Sequence, residues 1–136
     1  MRIEGPGVSN QLPASYFLDT YAIIEYIRGN KAYLRYFSDI DMKTSVLNLM
    51  ELFYHVLRDA GEKKAEATYM QFKQFIVPII DDDVREGMKF KLRLNARRID
   101  VSYSDAIGYA MAERLKAKFL TGDNSFRTLS NVEFVK

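Results

Sequence analysis

Four acidic residues stand where a strand is predicted to end or a helix to begin. Asp19 closes the run "SYFLD", Glu51 lies early in the helical segment after "TSVLN", Asp105 closes "VSYSD" and Asp123 follows "KFLTG". Carboxylate oxygens are hard ligands that suit Mg²⁺ or Mn²⁺. Such cations assist phosphodiester hydrolysis by activating water and neutralising phosphate charge. The four acids are therefore candidate ligands of a catalytic metal.

Each acid taken alone also has a structural explanation. Asn48 to Glu51 and Ser102 to Asp105 have the spacing of a capping box, in which an acid satisfies free N–H groups at a helix start. An acid near a helix N-terminus also gains about 0.3–1 kcal/mol from the helix dipole. If the four acids lie close together, a metal site is favoured over four separate structural roles. Two unit charges about 4 Å apart repel by roughly 4 kcal/mol at an effective dielectric constant near 20, and a divalent cation would offset this repulsion.

The elements that must position these acids alternate along the chain. The predicted strands are "SYFLD", "KTSVLNL", "FIVPII", "KFLTG" and "VEFV", and the predicted helices cover 20–29, 31–38, 49–60, 62–75, 82–98 and 103–116. This order predicts a three-layer α/β/α fold around a parallel sheet. Ligands of such sheets bind beyond the carboxyl ends of the strands. The four acids share that edge if strands one, two and four are neighbours.

Length and composition exclude several other classes of protein. The chain of 136 residues fits one domain, predicted over 15–136, with 1–14 as a flexible N-terminal extension. It has no cysteine and a single histidine, His55, which argues against thiolate zinc sites, multi-histidine sites and a Ser-His-Asp triad. No uncharged apolar run approaches the roughly 18 residues of a membrane span. We expect a cytoplasmic location without membrane attachment.

Four segments together resemble one known family. "FLDT", "LNLMEL", "SYSDAIGYAMA" and "FLTGDNSF", followed by "VEFV", are similar to the PIN-domain nucleases, and among them to the small VapC-type toxins, over roughly residues 16 to 135. The resemblance implies a five-stranded parallel sheet of order 3-2-1-4-5. It also implies a metal-dependent endoribonuclease, in which one or two Mg²⁺ or Mn²⁺ ions bind to Asp19, Glu51, Asp105 and Asp123.

The same resemblance implies supporting residues and partners. Thr20, Thr121 and Asn124 are expected to support the site through hydroxyl or amide oxygens. VapC-like proteins often form homodimers and are inhibited by an antitoxin, so both partners are expected beside the RNA substrate.

Two positions depart from the family pattern. Tyr21 stands where a small residue such as Ser or Asn usually follows "DT", and Asn48 stands where Thr is frequent. Tyr21 either narrows the substrate entrance or faces the core. The alternative function is therefore a catalytically silent PIN scaffold that binds RNA or a protein partner.

Three further features have a structural and a functional interpretation. His55 follows Glu51 by four residues, and we interpret it as a packing or hydrogen-bonding residue rather than a ligand. The acidic run 81–83 is assigned to the start of a helix. A basic stripe on the helix after it is either a solvated face or a set of phosphate contacts for RNA, and consists of Arg85, Lys89, Arg93 and Arg97.

Overall fold

The computed structural model describes residues 14–38 and 41–136, so the predicted extension lies almost wholly outside the described residues. The strands are β1 (Ser15–Leu18), β2 (Asp41–Lys43), β3 (Lys118–Thr121) and β4 (Val132–Phe134). The α-helices are α1 (Thr20–Ile27), α2 (Val46–Ala60), α3 (Glu62–Phe72), α4 (Asp81–Ala96) and α5 (Tyr103–Arg114), and 3₁₀ helices cover Lys31–Phe37, Lys73–Phe75 and Asn124–Phe126. In this part of the chain, no helix combines the length and apolarity needed to cross a membrane.

The four strands form one parallel sheet of order β2-β1-β3-β4. The central pair is in register, with Tyr16 opposite Lys118 and Leu18 opposite Leu120. Because parallel strands point the same way, the residues that follow Leu18 and Thr121 meet at one edge of the sheet. The order confirms the predicted adjacency of the first strand and the strand in "KFLTG".

The sheet has four strands rather than the five that we predicted. Of "FIVPII", only Ile76 makes a bridge, to Thr44, flanked by hydrogen bonds from Thr44 N to Phe75 O and from Val77 N to Thr44 O, both of 2.9 Å. This bridge occupies the place of the third strand in the order 3-2-1-4-5. The bridge does not lengthen into a strand, because Pro78 has no N–H to donate and α4 begins only three residues later.

The two faces of the sheet are covered by different helices. Phe17 and Phe119 pack on one face with residues of α4 and α5. Leu18 and Leu120 pack on the other face with residues of α1, α2 and α3. This alternation is the period of two expected of strands, and all four side chains are fully buried. The predicted three-layer α/β/α architecture is confirmed.

An ion pair between buried Asp83 and partly exposed Arg114 ties the start of α4 to the end of α5. Arg114 donates from Nε to Oδ1 and from a terminal nitrogen to Oδ2 of Asp83, both at 2.8 Å, and Ile80 N donates to Oδ2 at 2.9 Å. Although burial opposes it, hydrogen bonding to Arg114 lowers the pKa of Asp83. The structural assignment of the acidic run is confirmed for Asp83.

Candidate metal centre

Asp19 lies at the carboxyl end of β1 and is 2% exposed. It caps α1, because its Oδ1 accepts a hydrogen bond of 2.8 Å from Thr20 N. Its Oδ2 accepts a bond of 2.6 Å from the hydroxyl of Thr121, the last residue of β3. One oxygen of Asp19 therefore caps a helix, and the other links the two central strands.

Glu51 lies in the second turn of α2, whose start differs from the prediction. Ser45 caps the helix, because its hydroxyl accepts from the N–H groups of Leu47 and Asn48 at 3.2 and 3.3 Å. The segment "KTSVLNL" is therefore largely helical rather than a strand, and Asn48 is not the cap. The two Glu51 carboxylate oxygens accept from the hydroxyls of Thr20 at 2.7 Å and Ser104 at 2.6 Å.

Asp105 and Asp123 both lie at helix starts. Asp105 forms the predicted capping box with Ser102, since Asp105 N donates to the serine hydroxyl at 3.0 Å and Ser102 N donates to Oδ2 at 3.2 Å. Asp123 accepts from Ser125 N at 2.9 Å, and its own N–H donates to the Thr121 hydroxyl at 3.0 Å. Each acid therefore has a local structural role in addition to its place at the sheet edge.

Hydrogen bonds join the four acids into one network. The Ser102 and Ser104 hydroxyls are 3.1 Å apart, which closes the last gap between Glu51 and Asp105. The network runs in order through Asp123, Thr121, Asp19, Thr20, Glu51, Ser104, Ser102 and Asp105. We call this set the acidic network. Residues from β1, α2, α5 and the segment after β3 therefore meet at one edge of the sheet.

Burial and neighbouring negative charges raise the pKa of two acids of the network, Asp19 and Asp105. Burial raises the pKa of Asp19 well above its ordinary value, and the negative charges of Asp105 and Glu51 raise it further. Burial also raises the pKa of Asp105, to which the charges of Glu51 and Asp123 contribute. Within 14–38 and 41–136, no Lys, Arg or His forms a salt bridge with any of these four acids. The negative charge is thus left without a cationic partner.

The donor set fits a hard divalent cation by ligand type and charge. The side-chain geometry is less complete, since no three Asp, Glu or His side chains of the described ranges are arranged as a group that could hold a metal ion. Both oxygens of Asp19 and of Glu51 instead accept hydrogen bonds from hydroxyl or amide donors. Hydroxyl and amide groups therefore fix these carboxylates.

The supporting residues differ in their placement. Thr20 and Thr121 lie inside the acidic network, whereas Asn124 is exposed, and the described residues give its side chain no hydrogen bond. The sequence did not predict Ser104 as a partner of Glu51, and Asn48 was predicted only as a helix cap and as a departure from the family pattern. Asn48 is buried, and its Nδ2 donates to the Thr20 hydroxyl at 3.1 Å. The repeated serines of "VSYSD" were the only sequence signal for Ser104.

Tyr21 packs against the loop that carries Asp123. A Cβ atom at Gly122 would overlap both Cε1 of Tyr21 and the carbonyl oxygen of Val135, so only glycine fits beneath the ring. Lys136 completes this contact, because Nζ donates to Gly122 O at 3.1 Å and lies 5.5 Å from the centre of the Tyr21 ring. Of the two interpretations of Tyr21, the contacts favour packing over a role at the substrate entrance.

A hollow of about 520 Å³ opens beside the acidic network between α1 and α2. Thr20 and Glu51 line it together with Ile24, Tyr54 and His55. His55 Nε2 lies 3.1 Å from a terminal nitrogen of Arg28 and 3.3 Å from Oδ2 of Asp59. The imidazole is therefore engaged by neighbouring side chains, in agreement with its interpretation as a hydrogen-bonding residue.

The four residues of the basic stripe fall into two pairs with different surroundings. Arg85 forms a salt bridge with Asp82, and Lys89 forms one with Glu86. The remaining members, Arg93 and Arg97, line a different hollow together with Thr128 and Ser130, which lie just before β4. That hollow lies at the amino edge of the sheet, so Arg93 and Arg97 are separated from the acidic network.

The fold and the site together define an α/β/α domain with a network of four acidic residues at the carboxyl edge of its parallel sheet. The family model for the PIN domain matches residues 16–132. The chain therefore belongs to the PIN domain family, which agrees with the resemblance seen in the sequence. A comparison with curated proteins gave no match.

Solved structures with this fold include bacterial toxin–antitoxin proteins. VapBC-5 from Mycobacterium tuberculosis is 25% identical with a TM-score of 0.67, over 91% of this chain and 99% of that chain. A toxin-antitoxin complex from Klebsiella pneumoniae is 18% identical with a TM-score of 0.70, over 87% and 95%. VapC20 from M. tuberculosis, described as a toxin that cleaves the sarcin-ricin loop, is 18% identical with a TM-score of 0.69, over 88% and 96%.

Proposed function

We propose that this protein is a metal-dependent endoribonuclease that acts as the toxin of a toxin–antitoxin pair. One observation carries the proposal: a hydrogen-bond network of backbone and side-chain groups brings four acidic residues to the carboxyl edge of a PIN-domain sheet, and none of the four forms a salt bridge within the described residues. Burying charges in this way is costly unless a cation compensates them. The proposal assigns that compensation to Mg²⁺ or Mn²⁺.

Asp19, Glu51, Asp105 and Asp123 would hold the ion through their carboxylate oxygens. When bound, a divalent cation supplies an activated water nucleophile and neutralises charge that develops on the phosphate. Since Asp19 is the most buried of the four and touches both central strands, we assign it the central place among the ligands.

The hydroxyl-bearing residues of the chain orient the carboxylates. Thr121 holds Oδ2 of Asp19, while Thr20 and Ser104 each hold one oxygen of Glu51. Such bonds restrict side-chain rotation before a ligand arrives, which reduces the entropy lost on binding. The hollow beside Thr20 and Glu51 opens the acidic network to solvent and gives an RNA strand room to approach.

The proposed partners are an RNA substrate, an antitoxin protein and a second copy of this chain. The structures that share this fold include a toxin-antitoxin complex and VapBC-5, and VapC20 is described as an RNA-loop-cleaving toxin. These relationships support the antitoxin and the choice of RNA over other phosphodiesters. The homodimer rests on the resemblance to VapC-type toxins.

Cleavage of single-stranded RNA by the purified protein tests the proposal. We expect strand cleavage in Mn²⁺ or Mg²⁺, none in EDTA, and a loss of at least about a hundredfold in Asp19→Asn. Asp82→Asn is a matched control, because Asp82 is exposed at the start of α4, pairs with Arg85 and lies outside the acidic network. Equal cleavage by wild type and Asp19→Asn would contradict the proposal.

A catalytically silent scaffold that binds RNA or a protein is the second candidate. It is favoured by the hydrogen bonds that already occupy Asp19 and Glu51, and by the lack of a three-ligand cluster within the described ranges. It predicts RNA or protein binding that is indifferent to divalent cations. RNA turnover that disappears only in the acid variants would exclude it.

A further inference from the structure

A second hollow, of about 350 Å³, lies at the edge of the sheet opposite the acidic network. Thr128 and Ser130 form one wall and directly precede β4, which places the hollow at the amino ends of the strands. Arg93 near the end of α4 and Arg97, which directly follows the helix, form another wall. We call this the arginine hollow. Its volume lies at the small end of the range for ligand pockets.

The two arginines differ from the other cations of their helix. Arg85 and Lys89 are paired with carboxylates on α4 itself. Neither Arg93 nor Arg97 forms a salt bridge within the part of the chain that the structure describes. Their guanidinium groups therefore keep their full charge and their forked arrangement of N–H donors.

The walls of the arginine hollow are held in place by aromatic packing. Phe90 of α4 stacks on Tyr109 of α5, with ring centres 4.3 Å apart and planes 5° from parallel. The Tyr109 hydroxyl donates to the carbonyl oxygen of Ser130, which fixes the loop before β4 against α5. Thr128 and Ser130 thus line the hollow from a braced segment, and the Ser130 hydroxyl lies 3.4 Å from the Tyr109 hydroxyl. Such preorganisation favours binding, since less freedom is lost.

One carboxylate, Glu113, also lines the arginine hollow. It forms no salt bridge with Arg93 or Arg97 in the described residues, so the hollow carries two positive charges and one negative charge. The net charge favours an anion. The negative charge of Glu113 repels an anion in the hollow, so replacing Glu113 with a neutral residue tests whether an anion binds there.

We propose that the arginine hollow binds a phosphate group through Arg93 and Arg97, with Thr128 and Ser130 as hydroxyl donors. Phosphate fits better than a carboxylate, because its oxygens accept from two guanidinium forks and the hydroxyls together, whereas a carboxylate offers only two oxygens. The phosphate belongs either to the backbone of an RNA strand or to a small nucleotide. This proposal does not depend on ribonuclease activity at the acidic network.

Binding of three probes to the full chain tests the proposal. The probes are inorganic phosphate, adenosine monophosphate and a fluorescent single-stranded RNA, all in EDTA, with affinities from calorimetry and fluorescence anisotropy. We expect Arg93→Gln/Arg97→Gln to weaken binding about tenfold or more, as the loss of charge-assisted bonds predicts. The matched variant Arg85→Gln/Lys89→Gln removes the same charge from the same helix and should change affinity less than about twofold.

The probes distinguish the two sources of the phosphate. If Arg93→Gln/Arg97→Gln lowers the affinity for the RNA probe alone, the hollow is assigned to the RNA backbone. If the variant lowers the affinity for the mononucleotide, the hollow is assigned to a small ligand. Equal weakening by the two double variants would overturn the proposal, because it would show diffuse attraction. Failure of wild type to bind any probe would also overturn it.

Glu113→Gln provides a second test of phosphate binding if a double variant folds poorly. Removing a negative charge from the arginine hollow should strengthen binding of the same probes by a few-fold. Unchanged or weaker binding by a folded Glu113→Gln protein would contradict a phosphate at this position.

Discussion

The Thr121 hydroxyl donates a hydrogen bond of 2.6 Å to Oδ2 of Asp19, which joins the ends of the two central strands. Both residues are buried, and they lie on neighbouring strands of a parallel pair. The same hydroxyl accepts from Asp123 N at 3.0 Å. One threonine thus orients the most buried acid and fixes the backbone of another.

Removing this hydroxyl should destabilise the fold. Thr121→Val keeps the shape of the side chain and leaves Oδ2 of Asp19 without its donor, a loss of about 1–3 kcal/mol for a buried polar group. Thr121→Ser retains the donor and serves as the control. The free energy of unfolding from urea denaturation measures both. A Thr121→Val protein as stable as wild type would contradict the role of the hydroxyl.

Asp19 should make stability depend on pH in a defined direction. Because burial raises the folded-state pKa of Asp19, the folded protein holds this proton at pH values where the unfolded chain has released it. Stability therefore falls as pH rises from about 4, the ordinary pKa of Asp, through the folded-state value. The side chain of Asp19→Asn cannot ionise. In EDTA, the free energy of unfolding of Asp19→Asn should therefore rise relative to that of wild type as the pH increases through this range. Parallel pH profiles for the two proteins would refute this.

Gly122→Ala should destabilise the loop that carries Asp123. The added methyl group overlaps the Tyr21 ring and the Val135 carbonyl oxygen, and forced overpacking costs typically about 1–3 kcal/mol. Shrinking Tyr21 in the double variant Tyr21→Ser/Gly122→Ala relieves only one of these overlaps. Thermal melts should therefore show a fall in Tm for Gly122→Ala that Tyr21→Ser does not fully restore. An unchanged Tm for Gly122→Ala would contradict the close contact.

The pair of Asp83 and Arg114 should act in the opposite pH direction from Asp19. The pKa of Asp83 is lowered, so its stabilising contribution is complete above about pH 4 and declines as pH falls through the folded-state value. Asp83→Asn removes the charge that pairs with Arg114, whose side chain is 31% exposed, and losing hydrogen bonds to a charged group costs roughly 1.5–3 kcal/mol. Urea denaturation at neutral and acid pH should show a large loss that shrinks in acid. Asp82→Asn, at an exposed neighbour, should change stability by no more than about 0.5 kcal/mol.

The layers and most strands were predictable because their patterns are local. Helical periodicity and alternating apolar residues identify α1, α4, α5, β1 and β3. The failures have physical causes. In "KTSVLNL", β-branched residues suggested a strand, whereas the Ser45 hydroxyl starts a helix by accepting from two N–H groups. In "FIVPII", Pro78 and the early start of α4 left room for a single bridge.

The order of the strands was enough to predict which acids lie near one another, but not which side chains they contact. Asp19 and Asp123 follow adjacent strands, so their proximity follows from topology alone. The partners of Glu51 did not follow in the same way, because Ser104 reaches it from α5, 53 positions away. Side-chain hydrogen bonds of this kind depend on helix packing, which single-residue patterns do not encode.

Cation binding by the folded protein tests the central claim most directly. Mn²⁺ or Mg²⁺ at about 100 times its Kd should add roughly 2.7 kcal/mol to the free energy of unfolding. Calorimetric titration and thermal melts should show saturable binding in wild type and in Asp82→Asn, and its loss in Asp19→Asn and Glu51→Gln. If wild type shows no saturable binding and its Tm does not respond to either ion, the four carboxylates do not form a cation site.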